Sequence, residues 1–254
     1  MASMFDLTGR LALVTGSSKG IGLALAEAVA EAGAEIVINS RNPDELEKTR
    51  AKLAAEGHKV HAVSFDVTDQ PLVEATVARI EAEIGPIEIL FNNAGIQYRT
   101  PLDEFPVEAW RQVMATNLDS VFYVGQAVAK RMIPRGHGKI VNTCSLGSEI
   151  ARQTIAPYTA AKGAVKMLTK GMCADWARHG LQINGIGPGY FKTELNRALF
   201  ENPEFDAWVK QRTPAARWGD VDELKGVAVF LASDAATFVN GHIVYVDGGL
   251  VSAL

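Results

Sequence analysis

The chain is poor in the features that mark special classes of protein. Only two of its 254 residues are cysteines, Cys144 and Cys173. That is too few for a disulfide framework, and a reduced cytoplasmic protein is the simplest expectation. The five histidines are scattered without HxxxH-type spacing, so no catalytic metal site is expected. No apolar run approaches the ~18 residues that span a bilayer. The first residues, MASMFDLTGRLALVTG, have no basic region leading into an apolar one, so no signal peptide and no membrane partner are expected. Like charges do not cluster: 25 Lys/Arg and 29 Asp/Glu are interspersed, for a net charge of -4. Without a basic stripe or tail there is no electrostatic footing for nucleic acid. Low-complexity linkers and internal repeats are also lacking.

What is present is a core. Apolar residues make up 48% of the chain, and a chain of this length can bury roughly 70–75% of its unfolded surface. Short apolar runs alternate with longer amphipathic ones. The runs RLALVT (10–15), EIVIN (35–39), KVHAVSF (59–65), IEILFN (87–92), GKIVNTCS (138–145), LQINGIG (181–187) and HIVYVD (242–247) read as strands. Their near-continuous apolarity is that of parallel strands covered on both faces. Asn42, Pro43 and Glu45 form an N-cap, N1 and N3 start for one intervening helix, which Gly57 closes; Asp220 and Glu223 start another. The alternation predicts a doubly wound parallel sheet, a Rossmann-like three-layer α/β/α fold, as one domain over 1–254. One block breaks the rhythm: 188–219, long and aromatic-rich between two strands, has the length of a functional lid.

The first strand runs into TGSSKGIG (15–22) and then a helix. Glycines there allow a sharp turn close to a pyrophosphate, at a helix end rich in free N–H groups. The spacing is G-x-x-x-G-x-G, and Ile21 excludes a P-loop. The second strand ends in Asn39-Ser40-Arg41, without the acid that would accept from a ribose 2′-OH. Arg41 and Lys19 could instead pair a 2′-phosphate, which favours NADP(H) over NAD(H); the alternative is that both are solvated cations.

A Tyr and a Lys stand four apart, Tyr158 and Lys162, with Ser145 upstream. Proton exchange at a carbonyl oxygen needs a phenol far more acidic than the ordinary pKa of about 10. A cation about 4 Å away, one helical turn on, supplies about that much stabilisation of the phenolate. Pro157 suits the first helical turn. Ser145, at the end of a strand, would meet a substrate oxygen at the ligand edge of the sheet.

Together, TGSSKGIG, Asp66-Val67, NNAG (92–95), Asn117, Ser145, Tyr158-x-x-x-Lys162 and Pro188-Gly189 resemble the short-chain dehydrogenase/reductase family over essentially the whole chain, to the VDGG at 246–249. The resemblance implies Tyr158 as general acid/base, Lys162 as the group that lowers its pKa and holds the nicotinamide ribose, and Ser145 as the orienter of the substrate oxygen. Asn117 would continue a proton relay. It further implies a dinucleotide site made by Gly16, Ser18, Lys19, Gly20, Ile21, Gly22, Ser40, Arg41, Asp66, Val67, Tyr158, Lys162, Pro188 and Gly189. Asn92, Asn93, Ala94 and Gly95 would floor it, and Thr193 would hold the carboxamide. Read singly, Asn117 could repair a helix kink and Asp66 could cap a strand end. The resemblance also implies a homotetramer built through 104–134, 156–179 and the C-terminal strand.

Four further stretches, NAGIQYR (94–99), 148–173, GPGYFKTE (187–194) and RTPAARWGD (212–220), resemble a narrower group, the gluconate 5-dehydrogenases, which interconvert gluconate and 5-ketogluconate. A sugar-acid substrate is implied. Arg99 and Arg152 suit bidentate carboxylate recognition. Glu149 could accept substrate hydroxyls or help hold a divalent ion; the plainer reading is a Glu149–Arg152 surface pair. Alternatives are a deoxygluconate 3-dehydrogenase, a 3-oxoacyl-carrier-protein reductase, a non-catalytic NADP(H) sensor, and thiol chemistry at Cys144.

Overall fold

The computed structural model describes residues 3–253. Seven strands, β1 (Leu11–Val14), β2 (Glu35–Ile38), β3 (Val60–Ala62), β4 (Ile87–Asn92), β5 (Gly138–Thr143), β6 (Leu181–Pro188) and β7 (Ile243–Val246), form one sheet in the order β3-β2-β1-β4-β5-β6-β7. Every pairing is parallel. Successive side chains of a strand point to opposite faces, and here both faces are apolar. Leu11 and Leu13 of β1 enter one core cluster, Ala12 and Val14 the other. That double burial is why the strands read as continuous apolar runs. The expected strand 59–65 is shortened to Val60–Ala62, at the edge of the sheet.

The helices α1 (Gly20–Glu31), α2 (Pro43–Ala55), α3 (Gln70–Glu83), α4 (Val107–Met114), α5 (Ser120–Arg135), α6 (Ala156–Trp176), α7 (Arg197–Phe200), α8 (Pro203–Arg212) and α9 (Lys225–Ala232) connect them. Residues of α3, α5 and α6 such as Val77, Val128 and Val165 pack on one face; residues of α1, α2 and α9 such as Leu25, Leu46 and Leu231 pack on the other. Burying a Leu or Val side chain contributes about 1.5–3 kcal/mol. Asn42 caps α2, its Oδ1 accepting from the N–H groups of Asp44 (3.0 Å) and Glu45 (3.1 Å). The other half of the expected capping box is missing, because the Glu45 side chain turns toward the glycine turn instead. Asp220 and Glu223 form the full reciprocal box, at a short turn leading into α9.

The block 188–219 is helical in part. Asn202 and Pro203 start α8 as Asn42 and Pro43 start α2. Tyr190 packs edge-on against Phe205, Trp208 and Trp218, with ring centroids 5.7, 5.9 and 5.5 Å away.

In this sheet order the connections leave β1 toward β2 on one side, while its other neighbour is β4. The crevice outside the carboxyl ends of β1 and β4 is the switch point where such sheets bind ligands.

Candidate active site

A cleft of about 370 Å³ opens at that switch point. Every candidate residue of the dinucleotide and catalytic sets lines it, from Gly16 to Thr193, and so does Arg99; Asn92, Glu149 and Arg152 do not. Asn92 faces inward, its amide donating to Asn142 Oδ1 (2.9 Å) and Val121 O (3.4 Å). The floor is therefore Asn93, Ala94 and Gly95 without Asn92.

The glycine turn is drawn tight by partners from other strands. Gly16 has φ +63°. A Cβ on Gly22 would stand 2.2 Å from Gly16 O and 2.4 Å from Asn93 Nδ2, so no larger residue fits. Asn93 Nδ2 donates to the carbonyls of Thr15 and Gly16, each at 3.1 Å. Thr15 Oγ1 accepts from the Asn93 and Ala94 N–H groups at 3.0 and 3.1 Å. Asn39, at the end of β2, accepts from Gly16 N (3.3 Å) while its amide donates to Val63 O (3.2 Å) and Phe65 O (3.1 Å). The bracing by Asn39, Asn93 and Thr15 was not foreseen in the sequence; its one signal was an asparagine closing an apolar strand. Lys19 and Arg41 each face an acid, Lys19 Nζ at 3.1 Å from Glu45 and Arg41 at 3.8 Å from Asp66.

At the other end of the cleft, Lys162 is buried on α6 and donates to Thr143 O at 2.6 Å. Its Nζ lies 5.8 Å from the centroid of the Tyr158 ring. Burial lowers the Lys162 ammonium to about 8. Tyr158 runs against the expectation from charge alone. Burial pushes its phenol above the ordinary value, outweighing a lowering hydrogen bond from Ser145 and the charge of Arg99. The reason is geometric: the ammonium is anchored to the Thr143 carbonyl rather than to the phenol, Lys162 is buried and Tyr158 half-buried at the cleft wall, so desolvation outweighs the attraction between them. Ser145 Oγ also accepts from Gly147 N at 3.0 Å. Ser148, absent from the sequence expectations, bridges this turn to α6: its Oγ accepts from Ser145 N (3.3 Å) and donates to Lys162 O (2.8 Å).

Asn117 sits in a widened π turn between α4 and α5. Its Oδ1 accepts from Ile96 N and its Nδ2 donates to Ile96 O, each at 2.9 Å, which pins the loop after Gly95. Cys144 is buried, and burial raises its thiol to about 11, the reverse of an activated nucleophile.

Glu149 stands apart from the cleft. It accepts from Lys166 Nζ (2.5 Å) and the Tyr245 hydroxyl (2.6 Å), and these bonds hold its carboxyl below the usual range. The pair with Arg152 does not form. Arg152 lies over the Phe205 ring at 5.2 Å and donates to Gln153 O (3.2 Å) and Thr154 Oγ1 (3.5 Å). Arg99 donates to Leu195 O (3.5 Å) and Asn196 Oδ1 (3.4 Å) of the irregular block. Burial and then the like charge of Arg152 lower the Arg99 guanidinium. Thus Arg99 stands between Tyr158 and Arg152, which lies against Tyr190 and Phe205, and neither cation has a carboxylate partner among the described residues. Arg152 Nε and Gln97 Oε1 are buried there without a hydrogen-bond partner. Such atoms cost free energy unless something polar arrives.

Comparison with known proteins matches a family model described as enoyl-(acyl carrier protein) reductase over residues 16–251. A gluconate 5-dehydrogenase of Gluconobacter oxydans is 58% identical, over 99% of this chain and 98% of its own. The 5-keto-D-gluconate 5-reductase of Escherichia coli is 52% identical over all of both chains. The crystal structure of a gluconate 5-dehydrogenase from Burkholderia cenocepacia in complex with NADP and tartrate superposes with a TM-score of 0.97 at 58% identity, covering 99% of this chain and 98% of the other.

Proposed function

Because the chain belongs to the short-chain dehydrogenase/reductase family, we propose that it interconverts D-gluconate and 5-dehydro-D-gluconate with NADP(H) as the preferred cofactor. It is an oxidoreductase of that family, and relatives of similar length are gluconate 5-dehydrogenases. One observation carries the substrate reading: Arg99, whose charge acts on Tyr158, and the Arg152 beside Arg99 have no acid of their own, a setting that suits a carboxylate on the substrate. An acyl chain would leave both guanidinium groups unmatched, which disfavours a carrier-protein reductase. A deoxygluconate enzyme would share the carboxylate and differ at one hydroxyl.

The glycine turn fits a dinucleotide: the space a Cβ on Gly22 would fill is closed, so the backbone there can lie against a pyrophosphate. Lys19, Ser18, Ser40 and Arg41 would take a 2′-phosphate, and a bound NADP(H) supplies or accepts the hydride. This chain's residues manage the other particle, the proton. In reduction the Tyr158 hydroxyl gives its proton to the carbonyl oxygen as that oxygen gains charge; in oxidation the phenolate takes it back. Ser145 holds the same oxygen and bonds the phenol. Lys162, fixed by Thr143, keeps a positive charge near the phenol and would reach the nicotinamide ribose. Asn117 would pass protons onward by way of water. The segment 188–219 would close over the substrate, drawn to Arg99 and Arg152 by Leu195, Asn196 and Phe205.

The exposed Val107, Trp110, Phe122 and Met167 on α4, α5 and α6 form apolar surface of the sort subunits cover, which supports a homotetramer. No helix of the described residues is long and apolar enough to cross a membrane, compatible with a cytoplasmic setting. The decisive assay offers gluconate, neutral polyols and acyl ketones with NADP⁺ or NADPH. Turnover of gluconate and of 5-dehydrogluconate is expected; preference for an acyl ketone would overturn the assignment.

A further inference from the structure

The second strand ends without an acid, yet the fold brings one to Lys19 of the glycine turn. Glu45, in the first turn of α2, reaches back over the glycine turn. Its Oε1 accepts from Lys19 Nζ at 3.1 Å and its Oε2 from Ser18 Oγ at 3.5 Å. The placement is built. Asn42 fixes the first turn of α2 through the Asp44 and Glu45 N–H groups. Thr49 Oγ1 lies within bonding distance of Ser18 O (3.0 Å) and Glu45 O (3.1 Å), which ties the helix to the glycine turn. Lys19 and Glu45 are 64% and 39% exposed; a pair that wet adds little to stability, so the fold has small need of it.

We propose that Glu45 is a selectivity residue, a resident competitor for Lys19 that weakens binding of the cofactor's 2′-phosphate and so narrows the gap between NADP(H) and NAD(H). The inference rests on the NADP(H) reading above. A phosphate that draws on Lys19 must share the ammonium with a carboxylate already bonded to it, and must bring up to two negative charges next to a third. Repulsion between unit charges a few ångströms apart remains appreciable even in a solvated cleft. A free 2′-OH has no such charge and could donate to the same carboxylate, as it does to the acid that ends the second strand in NAD sites. Glu45 therefore acts with opposite sign on the two cofactors. Arg41 cannot compensate fully, because Asp66 stands 3.8 Å from it.

The test is to titrate wild type and Glu45→Gln with NADP⁺ and, separately, with NAD⁺ by calorimetry. The Gln keeps the length and the helix position while removing the charge. The expected result is a Kd for NADP⁺ about tenfold lower in the variant, with no tightening of NAD⁺, and a gain that shrinks at about 0.5 M salt. Glu45→Ala should repeat the shift without any side-chain acceptor. An unchanged or weakened NADP⁺ affinity in both variants, or equal tightening of both cofactors, would overturn the proposal. A wild type that binds NAD⁺ more tightly would defeat the cofactor reading, whereas the change in the ratio between variants still decides the part played by Glu45.

Discussion

The two halves of the cleft are built on opposite plans. Around the glycine turn, backbone and side-chain groups are matched within the chain: Thr15, Asn39 and Asn93 together bond Gly16 at its N–H and its carbonyl and carry the bonding on to Ala94. Around Tyr158, by contrast, the chain leaves charge and hydrogen-bonding capacity open, with Arg99 and Arg152 side by side and Arg152 Nε and Gln97 Oε1 buried without partners. A closed network holds a fixed shape for a ligand recognised by close approach of backbone. An open one stores unmet polarity for a ligand that brings its own charge. The difference teaches that the first half is preorganised by internal satisfaction and the second is specific through what it lacks.

The largest effect should come from removing the reacting hydroxyl. Tyr158→Phe is expected to lower kcat by about 10² to 10⁴ while NADP⁺ binding, which belongs to the closed half, changes little; retained turnover would reject the proton role. In wild type the phenol is raised by burial, so oxidation, which needs the phenolate, should accelerate with pH throughout the alkaline range. Reduction, which needs the phenol, should not, and the variant should lose the dependence. In the closed half, Gly22→Ala drives a Cβ into Gly16 O and Asn93 Nδ2. We expect NADP⁺ affinity to fall by about 100-fold, on the scale of a few kcal/mol for overpacking, with calorimetry as the readout; near-wild-type binding would show that the turn is not fixed as described.

The open half should respond differently. Arg99→Ala and Arg152→Ala should each raise the gluconate KM by about tenfold or more, the worth of one hydrogen bond to a charged group, and should leave a neutral polyol's KM in place. If both leave the gluconate KM alone, the carboxylate clamp is wrong. The smallest effect sharpens the contrast from outside the cleft. Lys139, on β5, is 5% exposed with its Nζ unpartnered, and burial lowers it to about 8. The charge of Asp234 favours the ammonium and that of Arg10 opposes it, and together they do not offset burial. The folded chain holds that proton less tightly than the unfolded one. The charge therefore costs stability below about pH 8, and the cost lifts as pH rises from there toward the lysine's ordinary range. Lys139→Met should raise Tm by about 3–6 °C at neutral pH, with a smaller gain at higher pH. A lowered Tm would mean that the ammonium has a stabilising partner.

Much of this was legible early. All seven strands were marked by apolar runs because both sheet faces are covered; the glycine turn was marked by its spacing, and Ser145, Tyr158 and Lys162 by the resemblance of the whole motif set to a known family. The strand ends were less so: 63–65 is apolar enough for a strand, yet the ladder with β2 stops at Ala62, past which Val63 N donates to Ile38 O and the Asn39 amide takes the Val63 and Phe65 carbonyls. Asn39, Ser148 and Glu45 were not legible as site-builders. Each acts on a residue far along the chain, such as Glu45 on Lys19 or Ser148 on Lys162, and a single sequence carries no sign of such pairs. Glu149 finds partners other than its sequence neighbour for a related reason. Its neighbours in sequence suggested Arg152, whereas a strand and a helix brought Tyr245 and Lys166 closer.

The sequence by itself determined the parallel sheet, the place of its ligand edge and the candidates for the reacting groups, since periodicity and short motifs are local properties of a chain. Only the tertiary structure decided which charges meet. It anchored Lys162 to a carbonyl, left two arginines unmatched and brought an acid to Lys19, because electrostatic energy depends on distance and burial, and both are set by elements that lie far apart in the sequence.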